Sequence, residues 1–127
     1  MHTTSNLVVL RGTLSSEPRA RVLPSGDELL SYEITTDVAD GRASAPVVWF
    51  SPRRPPVVHE GDDVVAVGVI RRRFFRAGGA ASSRTEVVAD IVARPGSRGA
   101  ARALERVRSA LSGDGDGASA GGSPQRG

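Results

Sequence analysis

A small all-β barrel, closed or partly open, is the fold class this 127-residue sequence predicts. Three observations predict it. Five stretches between residues 7 and 93 read as strands, two of them carry an internal glycine, and the same span holds no long helical period. A five-stranded sheet curls where glycines or bulges let it bend, and Gly12 and Gly68 stand at such places.

Residues 7–14 (LVVLRGTL) are apolar and β-branched enough for a first strand, which Glu17-Pro18 ends. Residues 19–23 read as extended, and Pro24-Ser25-Gly26-Asp27 is a turn. Residues 29–36 alternate as a second strand, Asp40-Gly41-Arg42 is a turn, and residues 47–50 form a short third strand. Residues 51–56 hold three prolines, which remove donors and fix φ, so an irregular connection is expected. Residues 60–63 turn into a long fourth strand over 64–75, residues 76–83 read as a flexible hairpin loop, and residues 85–93 form the fifth strand. After Pro95-Gly96 the character changes. Ala100, Leu104, Val107 and Leu111 fall at helical spacing and predict a short amphipathic helix over 97–112 that packs on the domain or on a second subunit. Residues 113–127 are rich in Gly, Ser and Asp and are predicted to be disordered. Strand pattern does not separate an oligonucleotide-binding (OB) barrel from an SH3-like one.

Composition narrows the function classes. All 17 basic residues other than histidine are arginine, and lysine is absent. The formal charge is +3 and the sequence pI is about 10.8. Arg, Ala, Gly, Pro and Val all have GC-rich codons, so a GC-rich bacterial genome accounts for much of that pI. The distribution is more informative. Residues 42–84 carry eight arginines (42, 53, 54, 71, 72, 73, 76 and 84) against Glu60, Asp62 and Asp63, whereas the first forty residues lean acidic. Cysteine is absent, and His2 and His59 lie far apart, so a disulfide is excluded and no cofactor or metal is expected. No apolar run approaches membrane-spanning length and the N-terminus lacks the pattern of a signal peptide, so a cytoplasmic protein is expected. An enzyme is not expected: Asp62-Asp63 reads as a turn, no nucleophile elbow is present, and no phosphate loop carries a lysine.

The stretch Arg71-Arg72-Arg73-Phe74-Phe75-Arg76 at the end of the fourth strand joins guanidinium groups to rings. Cations that follow a phosphate backbone and flat faces that stack on bases are the two needs of a single-strand groove. The plainer reading is a core phenylalanine beside solvated arginines. Neighbours in a strand face opposite ways, so one of Trp49 and Phe50 belongs to the core, and Phe74 and Phe75 divide likewise. The candidate binding residues are Phe75, Phe50, Arg71, Arg72, Arg73, Arg76, Arg53, Arg54, Arg84, Trp49 and Phe74. Arg21 is as suited to holding its turn as to meeting a phosphate.

The order of short motifs resembles bacterial single-stranded DNA-binding proteins over residues 6–93. Asn6 to Leu14, Glu17-Pro18 and Arg21-Val22-Leu23-Pro24-Ser25-Gly26 resemble that family's first half. Val48-Trp49-Phe50 is similar to its third strand, residues 60–68 to its Lys-Gly-x-x-Val-x-Val-x-Gly entry to the fourth strand (with Glu60 at the Lys position), and residues 85–89 to its last strand. The resemblance implies a five-stranded OB-fold Greek-key barrel over residues 1–96. It also implies oligomerisation, as a homo-oligomer (dimer or tetramer) or with a paralogue, and stacking on Phe50 and Phe75. Two further stacking positions of the family fall near Asp40 and Ser44, which are not aromatic, and the family's helix between strands three and four is replaced by the proline-rich segment. The chain ends without the family's acidic tip, so recruitment of repair enzymes by that route is not expected. A short, divergent actinobacterial-type paralogue is the implied kind of protein.

Sequence-independent binding and protection of single-stranded DNA in replication, recombination or repair is the function this reading favours. Two alternatives remain: an OB-fold interaction module, accessory to replication, with weak DNA binding, and an RNA-binding barrel.

Overall fold

The computed structural model describes residues 4–112. The disorder expected over residues 113–127 lies outside them. Six strands and one helix follow in order: β1 (Val8–Leu14), β2 (Arg19–Val22), β3 (Glu28–Val38), β4 (Gly41–Phe50), β5 (Asp63–Ala77), β6 (Ala80–Ala93) and α1 (Arg98–Leu111). β1 pairs with both β5 and β3, β3 with β4, β4 with β6, and β6 with β5. The five long strands therefore close into a ring, while the strand ends that run past it, such as residues 41–46 of β4, keep one edge unpaired. All these pairings are antiparallel except β4–β6. β2 is a short flange on the first half of β3.

Closure depends on two glycines. A Cβ on Gly12 would run into the Thr35 carbonyl of β3, and one on Gly68 into the Val88 carbonyl of β6. Gly68 also stands at the β5–β6 register shift, where the ladder bends. At the mouth of β1, the Asn6 amide donates to the Ile70 carbonyl at 2.9 Å and accepts from the Ile70 N–H at 2.8 Å, holding the strand end to β5.

The strand pattern puts one apolar row inside. Leu14, Tyr32, Ile34, Val47, Trp49, Val64, Ala66, Val87, Ala89 and Val92 form the core, and Val58 plugs it from the irregular 51–62 segment. Burial pushes the Tyr32 phenol up to about 12, with the Glu28 charge adding to the effect.

Three expectations are corrected. β4 begins at Gly41 rather than at 47, because residues 41–46 pair with β3 alone and Pro46 sits where no β6 partner needs its missing N–H. The 76–83 segment is no loose loop: β5 and β6 pair to Ala77↔Ala80 across Gly78-Gly79, whose φ values of 61° and 84° suit a two-residue hairpin turn. In α1 the inward residue is Ala103, with Ala100, Val107 and Ala110 half-buried, while Leu104 and Leu111 face outward. Small residues face the barrel because the helix starts close to β6: a Cβ on Gly99 would lie 2.7 Å from the Ala93 Cβ. Among the described residues, no helix is long and apolar enough to cross a membrane.

A candidate nucleic-acid interface

A groove of about 730 Å³ crosses one face of the barrel, lined by β3, β4, the 16–23 segment, and Arg71, Arg73, Arg84 and Glu86 of the β5–β6 hairpin. The hairpin turn determines what enters it. A two-residue turn at Gly78-Gly79 pairs Arg71 with Glu86, Arg73 with Arg84, and Phe75 with Ser82. Strand alternation then puts Arg71, Arg73, Phe75, Arg84 and Glu86 on one face, and Arg72 and Phe74 on the other.

Two guanidinium–ring pairs follow on this face, one with Phe50, which lines the groove, and one with Phe75, which lies on the same strand face nearer the turn and outside the groove lining. The Arg71 Cζ lies 5.4 Å from the centre of the Phe50 ring, and the Arg73 Cζ lies 5.3 Å from that of Phe75. Each is within cation–π range. Phe50 is 38% exposed and Phe75 is half-buried, so both keep accessible ring surface. Trp49, their neighbour in the strand pattern, is 6% exposed and belongs to the core, which withdraws it from the candidate set.

The groove is less basic than the sequence suggests. Glu86 is 3% exposed at its floor. Its carboxylate accepts a 2.7 Å bond from Arg71 Nη2, and Arg73 Nε lies 3.6 Å away. Arg84 stands 3.9 Å from Glu33. Arg19 and Arg21 supply further positive charge along the β2 wall. Glu17 closes one end. It accepts from the Glu60 N–H at 2.7 Å and pairs with His59 Nδ1 at 3.2 Å, and these bonds, the backbone one first, hold its carboxyl below the usual range.

Other candidates lie elsewhere. Arg72 donates to Ser83 Oγ at 2.9 Å on the opposite face, where Phe74 is 75% exposed. Arg76 is turned to the hairpin, donating to the Gly79 carbonyl at 3.4 Å. Arg53 and Arg54 line a separate cavity. So of the 71–76 arginines, residues 71 and 73 share the concavity and residues 72 and 76 do not.

Sequence reading missed Glu86, Glu33 and Arg19. The signal for Glu86 lay in Gly78-Gly79: once that pair is read as the turn, the residue opposite Arg71 is fixed by counting. Among the described residues, no three His, Asp or Glu side chains gather as metal ligands would. The chain matches no protein-family model and no curated protein.

Proposed function

We propose that the barrel is an OB-fold and that the groove binds single-stranded nucleic acid, DNA in the first place, without reading its sequence. Two things support the fold: the closed ring of five strands, and a groove lying over the second and third of its long strands between the first loop and the last hairpin. That is where OB-folds take oligonucleotides. The observation that carries the function is the repeated guanidinium–ring unit, Arg71 with Phe50 and Arg73 with Phe75. Each unit offers a ring face to a base and a cation to the adjoining phosphate.

The chemistry is binding alone. A base on Phe50 or Phe75 contributes roughly 1–3 kcal/mol, and each phosphate neutralised by an arginine releases counterions. Titration of the full chain with oligo-dT over a salt series tests the proposal. Affinity should fall with salt by a slope of roughly 0.7 per phosphate contacted. No binding at micromolar protein in low salt ends it. Equal or tighter binding to oligo-U moves the ligand to RNA. The carboxylates of Glu33 and Glu86 favour a second reading, an OB-fold interaction module with weak DNA binding. In that case the Phe75→Ala change costs little and the chain co-purifies with a defined protein.

A further inference from the structure

Phe50 also lines a second cavity, of about 760 Å³, formed by the 51–56 segment, the end of β6 and the first turns of α1. Its walls carry five arginines and one acid, Asp90. The acid is already occupied, accepting from Arg106 Nε at 2.9 Å, and Arg94 faces Asp62 at 3.7 Å. That leaves Arg53, Arg54, Arg98 and Arg102. All four are exposed, and none is engaged by another described side chain. The Arg102 guanidinium folds back along the helix, 3.7 Å from where a Cβ on Gly99 would sit.

Four unanswered like charges around one concavity repel one another, and a bound polyanion relieves that repulsion. The start of α1 adds to the imbalance. Its first turn holds no acid and begins with Arg98, a charge opposed to the positive end of the helix dipole. By contrast, the groove has a carboxylate close to each of Arg71, Arg73 and Arg84. The second cavity therefore has the greater share of free positive charge, and the two concavities meet at a stacking ring.

We propose that a single strand passing over Phe50 continues into this cavity, where Arg53, Arg54, Arg98 and Arg102 take its phosphates, so that the C-terminal helix is part of the nucleic-acid surface. The proposal rests on the reading of the groove as a single-strand site. Guanidinium forks match phosphate oxygens in pairs, and the continuity through Phe50 makes the same strand the occupant.

The test compares the wild-type chain with two double variants, Arg98→Ala with Arg102→Ala, and Arg53→Ala with Arg54→Ala. Each is titrated by fluorescence anisotropy against oligo-dT of about 5 and about 15 nucleotides, sizes that span the footprint of one OB-fold. Both variants should lose less affinity for the short strand, which the groove alone can span, than for the long one. Both should bind the long strand about tenfold or more weakly at low salt, with a salt slope shallower by roughly 1.4 for two lost phosphates. Long-strand affinity and slope equal to wild type in both variants overturn the proposal and leave the groove reading standing. A wild-type chain that binds neither strand removes the groove reading, and this proposal with it. Alanine is the best helix former, so the helix variant should melt with wild type. If it does not, the Arg53/Arg54 variant, on a different segment, decides.

Discussion

Glu86 stands directly opposite Arg71 on the β5–β6 ladder and accepts a 2.7 Å bond from its guanidinium, with Arg73 at 3.6 Å on the carboxylate's other oxygen. A buried negative charge thus sits beneath the two arginines that stack on Phe50 and Phe75. Any phosphate arriving at this face competes with Glu86 for the same donors. Glu86→Gln keeps the acceptor and the shape but drops the charge. Oligo-dT affinity at low salt should rise several-fold, and the salt slope should steepen by roughly 0.7 for each arginine released to phosphate. An unchanged slope places Arg71 and Arg73 outside the contact. Glu86→Ala is a different experiment, because it leaves two guanidinium groups without their acceptor. Both are nearly half exposed, so the expected loss in urea denaturation is about 1–3 kcal/mol rather than the larger cost of breaking a fully buried pair.

The rings separate by face. Phe50→Ala and Phe75→Ala should each weaken oligo-dT binding by roughly 1–3 kcal/mol. Phe74→Ala lies on the opposite face and should leave binding within about twofold of wild type, since it removes neither a groove ring nor a groove cation. A loss at Phe74 equal to that at Phe50 shows that the strand does not follow the groove.

Tyr32 is the single tyrosine, so its titration is read directly from the phenolate absorbance near 295 nm. Burial holds its folded value near 12, above the ordinary 10.0. The folded state therefore keeps a proton that the unfolded chain releases. Below pH 10 both states are neutral and the full stability is present, and it declines as pH rises through 10 toward 12. Tyr32→Phe should flatten that alkaline decline. A native titration midpoint at 10 contradicts the burial of the phenol.

Glu17 gives the opposite limb. Its folded value is lowered from the ordinary 4.5 by the Glu60 N–H first and His59 second. The stability it contributes is present above 4.5 and is lost as pH falls through the lower folded value. Glu17→Gln should flatten the dependence of melting temperature on pH below 4.5 and leave it unchanged near pH 7. An undiminished acid dependence in the variant shows that other carboxylates carry it.

Gly68→Ala tests closure. A methyl group there meets the backbone of β6, which no rotamer relieves, so a cost of about 3 kcal/mol is expected. Val69→Ala, at a half-buried neighbour on the same strand, should cost less than about 2 kcal/mol. Urea midpoints for the two compare them directly.

Much of this was legible in the order of residues. The valine-rich runs in 64–75 and 85–93 marked the two longest strands, Gly12 and Gly68 marked the bends, and adjacency in a strand divided Trp49 from Phe50. Local steric and burial rules act over two to four residues, so they can be read from a short window. The length of β4 was hidden because Arg42 to Pro46 lack the apolar pattern of a strand buried on both sides. They are strand only because β3 supplies their partners. Leucine at helical spacing signals a core, but the close seat of Gly99 against Ala93 brings the start of the helix so near β6 that Ala103, not Leu104, turns inward.

By itself, the sequence determined a curled β domain with arginines beside rings at the end of its longest strand. Only the tertiary structure decided which arginines share a face with which rings, that Glu86 neutralises two of them, and that the helix brings Arg98 and Arg102 beside Arg53 and Arg54. The physical reason is range. Alternation along a strand is set by neighbouring residues, whereas the field at a site is a sum over charges that folding gathers from distant parts of the chain.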